Sequence, residues 1–213
     1  MPKIISAAEV GRLIKDGSTV YIPGFNMGFA EEIIDALEQC FLEAGHPRDL
    51  TCYYTAIGDF NERGIHRLTH KGMLKRLVAG YFKCAGPTLG QRINDNWFET
   101  YNLPLGVIAG MSKNIASSRP GIITKVGLGT FVDPRVEGGK INQKAKESED
   151  LVEAVQLDNE EWLKYNLPKL DVALIRGSSG STVKSHFRHM EKIETHQPRG
   201  FKGLSTSEKP QNT

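Results

Sequence analysis

The chain has 213 residues, of which 39% are hydrophobic and 24% are charged, and its formal net charge is +2. These are ordinary proportions for a globular protein, and the length supports one full hydrophobic core. Lysine and arginine are spread along the chain, which argues against nucleic-acid binding. No stretch approaches the roughly 18 apolar residues of a membrane helix, so we expect no membrane partner.

The three cysteines, Cys40, Cys52 and Cys84, are odd in number and widely spaced. This pattern predicts reduced, mostly buried thiols rather than disulfides, a metal site or a catalytic nucleophile. The N-terminal residues have no apolar segment typical of a signal peptide. We therefore expect a cytoplasmic protein with no bound metal.

Helix and strand signals alternate from the start of the chain. Ser6 and Glu9 form a capping box that begins a short first helix. The β-branched run Thr19–Ile22 predicts a strand, and the apolar spacing over 33–41 predicts a second helix that ends near Gly45. Strand, bend and helix together form a βα unit.

The same alternation continues to residue 176. Strands are predicted over 50–54, 122–126 and 171–175, and 73–79 is predicted as a strand or a helix end. Helices are predicted from Gly106 to residue 116 and, on the surface, over 149–163, whereas 138–142 predicts a hairpin-like return. This order implies an α/β fold with a mostly parallel open sheet and helices on both of its faces.

The composition changes at residue 177. The stretch 178–182 is rich in serine, and the rest of the chain to residue 213 is basic, rich in histidine and poor in apolar residues. Such a segment cannot bury enough surface to offset its ordering entropy, so we expect one domain over 1–176 and a disordered tail over 177–213. His186, His189 and His196 lack acids or thiols at ligand spacing, which favours a solvated tail over a metal site.

A glycine-containing bend, PGFNMG at 23–28, connects the first strand to the second helix. Ligands of open parallel sheets collect at the carboxyl ends of the strands, and Gly24 and Gly28 leave the backbone there open to a ligand. The bend matches neither the dinucleotide fingerprint nor the P-loop, and Glu31 and Glu32 in the next helix would repel a phosphate. It is therefore predicted to contact a neutral or thioester group; the alternative is a turn that needs positive φ and binds nothing.

A second glycine-rich segment, VGLGTFVDPR at 126–135, follows a later strand. It should emerge at the same edge of the sheet, which predicts one pocket lined by both loops. The alternative is that Gly127 and Gly129 only allow a tight turn, with Asp133-Pro134 as its initiator.

Four segments resemble the family I coenzyme A-transferases, in particular the acetate/propionate type, whose two halves are fused in one long chain. They are the bend GFNMG, the segment GDFNERGIHRLTHKGMLKRLVAGYF, the run RPGIITKVGLGTFVDPR with the following EGGKIN, and the strand DVALIRG. The run VGLGTFVDPR followed by GGKIN is highly specific. The order and spacing of the four extend over residues 6–176.

The resemblance implies a sheet like that of glucosamine-phosphate deaminase and ribose-phosphate isomerase. It also implies a ping-pong transfer of coenzyme A (CoA) between carboxylic acids of short-chain fatty acid and ketone body metabolism. A glutamate attacks the acyl-CoA, forms a mixed anhydride and becomes a glutamyl-CoA thioester. CoA is then a substrate, no cofactor is permanently bound, and backbone N–H groups of the glycine-rich loops are expected to stabilise the oxyanions.

The sequence departs from this family at positions that matter. The family's catalytic glutamate lies in the second half, whereas the one Glu-Gly step here, Glu137-Gly138, lies in a first-half segment. The resemblance therefore implies an N-terminal half with no catalytic residue of its own, which needs a C-terminal half or a β-type subunit and forms an oligomer. Leu105 stands where several relatives have a glutamine, which the resemblance implies would hold the reacting carbonyl, and a leucine side chain cannot donate a hydrogen bond.

These observations predict CoA transfer between a short-chain acyl-CoA and a carboxylic acid by an incomplete enzyme. One alternative is a non-catalytic CoA- or acyl-binding module, and another is a fragment that exposes the apolar surface meant for its missing half. The expected pocket residues are Gly24, Phe25, Asn26, Gly28, Leu105, Gly127, Gly129, Thr130 and Phe131.

Overall fold

The computed structural model describes residues 5–24, 28–57, 63–176 and 202–204. Helices and strands alternate over most of this range, as the sequence predicts. In chain order the elements are α1 (Ala7–Leu13), β1 (Thr19–Ile22), α2 (Glu31–Ala44), β2 (Leu50–Tyr54), a 3-10 helix (Gly64–Leu68), β3 (Leu74–Ala79), α3 (Gly86–Asn94), β4 (Glu99–Asn102), α4 (Leu105–Ala116), β5 (Ile122–Thr124), α5 (Gln143–Lys146), β6 (Val152–Leu157), β7 (Glu160–Tyr165), β8 (Val172–Leu174) and β9 (Lys202–Leu204).

A six-stranded parallel sheet with the order β4-β3-β2-β1-β8-β9 forms the centre of the fold. Its register places Ile22, Tyr54, Ala79 and Asn102 in one row across the carboxyl ends of four strands. A parallel sheet needs cover on both faces. The predicted α/β class is confirmed.

Two hydrophobic clusters cover the two faces. On one face, apolar residues of α1, α2 and α3 pack against the sheet, including Val10, Ile34 and Leu89. On the other, α4 packs together with a second sheet of three antiparallel strands in the order β5-β7-β6. The sequence did not predict this second sheet.

The helix predicted over 149–163 is wrong, because β6 and β7 form an antiparallel hairpin there. Leu157 pairs with Glu160, so the hairpin turn consists of Asp158 and Asn159, whose φ angles are 50° and 62°. Aspartate and asparagine tolerate this left-handed conformation, which two-residue hairpins favour. The turn chemistry therefore outweighs the helical spacing of the apolar residues.

The hairpin-like return predicted over 138–142 is also wrong. Gly138 and Gly139 take positive φ angles in a turn, and Lys140 forms a single antiparallel bridge with Tyr101 of β4. The segment therefore attaches to the end of the main sheet instead of pairing with itself.

The tail predicted to be disordered lies outside the described residues except for 202–204. Those three residues form β9, which runs parallel to β8 with Val172 opposite Lys202. The free edge of β8 offers backbone hydrogen bonds to this further strand, and the disorder of the tail stays a prediction.

Asn142 joins three elements of the fold through its side chain. Its Oδ1 accepts hydrogen bonds from Thr100 N and Ala145 N, both at 3.1 Å, and its Nδ2 donates to Ile93 O at 3.1 Å and Phe98 O at 2.8 Å. The residue is 7% exposed. All four bonds of the amide are therefore made within the protein.

Replacing Asn142 by aspartate should lower the free energy of unfolding by about 2–3 kcal/mol. The Nδ2 donor would be replaced by a carboxylate oxygen, which would face the carbonyl oxygens of Ile93 and Phe98 and could not donate to them. Urea unfolding measures this. Asn114→Asp is the control, since Asn114 Nδ2 donates only to Gly110 O of its own helix. Equal losses in the two variants would contradict the role given to Asn142.

Candidate functional site

The carboxyl edge of the main sheet is formed by the residues that follow β1 to β4. Backbone hydrogen bonds continue the ladder past the strand ends: Thr55 N donates to Ile22 O at 3.3 Å, Gly80 N to Thr55 O at 3.2 Å and Leu103 N to Ala79 O at 3.1 Å. This edge is where open parallel sheets place their ligands.

Gly24 directly follows β1 at this edge. Its φ is 134°, and a Cβ there would lie 2.8 Å from Gly28 O and 3.1 Å from a ring carbon of Phe29. The chain therefore turns back on itself, and only glycine fits at Gly24. A Cβ at Gly28 would meet nothing within 4 Å. Phe25 and Asn26 lie outside the described residues.

The first turn of α2 differs electrostatically from the sequence-based expectation. The Glu31 carboxylate accepts hydrogen bonds from Gly64 N at 3.0 Å and Arg67 Nε at 3.0 Å. Arg67 also pairs with Asp35 and Glu38 on the same helix. Arg67 therefore compensates part of the negative charge expected to repel an anion, through a contact with Glu31 across 36 residues of sequence that the helix pattern alone could not show.

Leu105 begins α4 beside the end of β3. It is 44% exposed, and a Cβ at Gly80 would lie 2.7 Å from Leu105 Cα and 2.7 Å from Thr55 O. Gly80 thus holds the start of α4 against the strand ends. Sequence reasoning missed Gly80, Thr55 and Tyr81, although a glycine after a strand, followed by an aromatic residue, is a signal for them.

One turn contains Gly127, Gly129 and Thr130. Contacts within the protein explain the residue type or the hydrogen bonding at each of these positions. A Cβ at Gly127 would lie 2.5 Å from Tyr165 Oη, which donates to Val126 O at 2.7 Å. Gly129 N donates to the Asp133 carboxylate at 2.9 Å, and Thr130 N donates to Gly127 O at 3.0 Å. These two N–H groups are already used, so the expectation that this loop supplies oxyanion donors does not hold for them.

The loop that contains these residues packs against the end of β4. Gly139 N donates to Phe131 O at 2.9 Å, and Asn102 N donates to Gly139 O at 2.7 Å. Phe131 is 45% exposed, and its loop reaches the strand end that Leu105 follows three residues later. Gly24 lies at the same edge but three strands away, which is about 14 Å at the usual strand spacing.

Asp133 holds the glycine-rich loop in shape. Its buried carboxylate accepts hydrogen bonds from Gly129 N, and from Arg135 through N, Nε and Nη2, at 2.8–3.0 Å. The Arg135 guanidinium and these N–H groups lower the pKa of Asp133 well below its usual range. The sequence predicted only a turn initiator at this position.

The stability contributed by Asp133 should depend on pH. A folded-state pKa below the unfolded value of about 4 means that the unfolded chain binds the proton more readily. The contribution is therefore fully present above about pH 4 and is lost as the pH falls towards the folded pKa. We expect Asp133→Asn to be less stable than the wild type at pH 7, with a difference that narrows towards pH 3 in urea unfolding. A constant difference, or equal behaviour of the exposed control Asp158→Asn, would contradict this.

The sequence profile of the coenzyme A transferase family matches residues 4–192. The chain belongs to this family. The recognition made from the sequence is thereby confirmed. The match extends past residue 176, so the proposed boundary between domain and tail stays a prediction.

Several members of this family resemble the chain over most of its length. A caffeate CoA-transferase of Acetobacterium woodii is 44% identical over 181 residues, which are 84% of this chain and 34% of that protein. The crystal structure of the acyl-CoA transferase YdiF of Escherichia coli O157:H7, a thioester complex with CoA, has a TM-score of 0.76 and 34% identity over 82% of this chain and 34% of that one. The chain spans about a third of the length of these two relatives.

A shorter relative is the alpha subunit of an acetoacetyl-CoA:acetate/butyrate CoA transferase of Clostridium acetobutylicum. It is 30% identical over 184 residues, which are 83% of this chain and 71% of that subunit. The chain is thus similar both to about a third of long relatives and to most of a separate subunit.

Within the part that the structure describes, no group of three or more His, Cys, Asp or Glu side chains could hold a metal ion. The helices of the same residues are all too short or too polar to cross a bilayer. The three cysteines are free thiols, with Cys52 buried and Cys40 and Cys84 half-buried.

Proposed function

We propose that this chain is the N-terminal half of a CoA-transferase that moves CoA between a short-chain acyl-CoA and a carboxylic acid, of the acetate/propionate type. The observation that carries the proposal is the carboxyl edge of the sheet, where Gly80 brings the start of α4 against the ends of β2 and β3. Bare backbone at Gly28, where a Cβ would meet nothing within 4 Å, leaves room for the acyl group and thioester to approach.

The N-terminus of α4 is the proposed source of oxyanion donors. The first N–H groups of a helix have no partner within it, and the helix dipole makes that end positive. Leu105 and Gly106 supply two such groups at the carboxyl edge, and a Cβ at Gly106 would meet nothing within 4 Å. Charge that develops on a thioester oxygen is stabilised by such fixed donors. This role needs no side-chain donor, so Leu105 can fill it despite its apolar side chain.

The attacking glutamate belongs, in this proposal, to a region outside the chain. Glu137 is exposed on the loop that Asp133 organises, and its backbone N donates to Asp133 O at 3.2 Å as part of that turn. The nucleophile would come from a C-terminal half or from a β-type subunit. The one-third coverage of the long relatives and the separate Clostridium alpha subunit support this arrangement.

An exposed apolar surface on the glycine-rich loop is the proposed contact with that second half. Its members are Val126, Phe131, Val136 and Ile141, which are 40–59% exposed. Apolar side chains grouped on one loop are costly to leave in water and typically mark an interface. An oligomer in the intact protein follows from the same argument, and a cytoplasmic location stays a prediction.

A larger acid is a second candidate substrate. Leu105 and Tyr81 follow β4 and β3 at the carboxyl edge and are 44% and 37% exposed, so an apolar surface faces the proposed acyl position. The relative that is 44% identical is a caffeate CoA-transferase, whose acid carries an aromatic ring. Comparing propionate with caffeate as acceptors decides between the two acids.

The test mixes the purified chain with acetyl-CoA and propionate, alone and together with the separately produced remainder of the A. woodii caffeate CoA-transferase. We expect saturable CoA binding by the chain alone and transfer only in the mixture. Transfer by the chain alone would contradict the missing nucleophile. Binding without transfer in either sample would favour a non-catalytic CoA- or acyl-binding module, and no binding at all would refute the proposed site.

A further inference from the structure

A cavity of about 640 Å³ lies at the opposite end of the main sheet from the proposed CoA site. Its floor is the amino-terminal part of the strands, with Thr19, Thr51, Tyr53 and Arg76, and its wall is the chain at 149–151 and 166–169. In β1 the first and last residues are about 10 Å apart, so the cavity and the carboxyl edge are separate places. Its volume is that of a site for a small molecule.

Tyr53 contributes a hydroxyl group to the cavity lining. The residue is 3% exposed and lines the cavity, yet its Oη makes no hydrogen bond to any residue that the structure describes. Tyr21 and Tyr101 occupy the same row of the sheet, and their hydroxyl groups donate to Ile108 O and Glu149 O. The Tyr53 hydroxyl group therefore remains available as a donor to a ligand in the cavity. Burial raises its pKa to about 12, which keeps it a donor at neutral pH.

Arg76 adds a second donor beside Tyr53. Its Nε bonds to Glu99 and its Nη1 to Glu149 at 2.6 Å, whereas Nη2 has no acceptor among the described residues. The guanidinium is held in place by the buried Glu99 and by the Tyr101 ring, whose centroid is 5.3 Å away. The Glu149 side chain is 68% exposed and is therefore free to move aside for a competing anion.

The remaining charges favour an anion over a cation. Asp150 already pairs with Lys140 at 2.7 Å, so its charge is compensated. Lys75 and Lys169 line the cavity and have no acidic partner within the described part of the chain, which leaves Asp49 as the one unpaired acid in the lining. Unpaired donors outnumber unpaired acids.

We propose that this cavity binds a small oxyanion, a carboxylate or a phosphate, whose oxygen atoms accept hydrogen bonds from Tyr53 Oη and Arg76 Nη2. Such hydrogen bonds to an ionised acceptor are the stronger kind. Lys169 and Lys75 would add charge at the mouth of the cavity. The site is independent of CoA binding.

The test titrates inorganic phosphate and, separately, malonate into the full chain at constant ionic strength, with amide chemical shifts as the readout. We expect saturable changes of the amide chemical shifts in the strands that form the cavity floor. The anion that binds with the higher affinity shows whether the site prefers a phosphate or a carboxylate. Tyr53→Phe should weaken binding about tenfold, as expected for one lost bond to a charged group. Tyr21→Phe removes a hydroxyl group from the same row of the sheet and should leave the affinity unchanged.

Lys169→Gln provides a second variant, since it changes only an exposed side chain and leaves the packing of the sheet intact. It should weaken both anions while the thermal midpoint without anion stays the same. Absence of saturation with both anions would overturn the proposal, as would equal affinities of the wild type, Tyr53→Phe and Lys169→Gln. CoA binding in the same samples is a separate measurement that tests the proposed function.

Discussion

Replacing Arg76 by alanine should lower the free energy of unfolding by about 3–5 kcal/mol. Arg76 on β3 lies opposite Glu99 on β4, and the two side chains are 9% and 8% exposed. Removing the guanidinium leaves the Glu99 carboxylate buried without its cation, and the cost of that unpaired charge is larger than the net contribution of the pair. Equilibrium urea unfolding followed by tryptophan fluorescence measures the loss.

Two controls distinguish a buried charge from the loss of any ion pair. Lys125→Ala breaks the pair with Glu160, whose members are 49% and 59% exposed, and should cost less than about 1 kcal/mol. The double variant Arg76→Met with Glu99→Leu removes both charges and should recover much of the loss. A double variant no more stable than Arg76→Ala, or a loss in Arg76→Ala as small as that in Lys125→Ala, would contradict the explanation.

Replacing Gly80 by alanine should destabilise the fold by about 3 kcal/mol and abolish CoA binding. The new methyl group would lie 2.7 Å from Leu105 Cα and 2.7 Å from Thr55 O, both of them backbone atoms that cannot rotate away. Either α4 moves off the strand ends or the Gly80 N to Thr55 O hydrogen bond breaks. Both changes displace the proposed oxyanion donors at the start of α4.

Gly90→Ala is the matched control for this change. Gly90 lies within α3, where a Cβ would meet nothing within 4 Å. Alanine is favoured over glycine in a helix interior, so this variant should be more stable by up to about 1 kcal/mol and bind CoA unchanged. Unfolding of Gly80→Ala and Gly90→Ala at the same urea concentration would contradict the close contact between the start of α4 and the strand ends.

The parts of the fold predicted correctly from sequence depend on local chemistry. The capping box is present, because Ser6 Oγ accepts from Glu9 N and the Glu9 carboxylate accepts from Ser6 N at 2.9 Å. The buried strands β1 and β2 are short runs rich in β-branched and aromatic residues, and β8 is a short apolar run, so their preferences agree with their places in the sheet. Where short-range preference and long-range packing agree, the pattern is sufficient.

The parts that were missed depend on contacts distant in sequence. Gly127 is required because Tyr165, 38 residues later, places its hydroxyl group where a Cβ would be. Gly80 has no positive φ, and only the later α4 shows why a side chain is excluded there. The glycine positions of the candidate site could thus be found in the sequence, but what each glycine contacts could not.

The central claim is that this chain holds the thioester while another region supplies the attacking carboxylate. Its most direct test incubates the isolated chain with acetyl-CoA, measures binding by calorimetry, and determines the intact mass of the protein from the same sample. The account predicts saturable binding with no increase in protein mass. A protein carrying CoA as a thioester on any glutamate within residues 1–176 would contradict it.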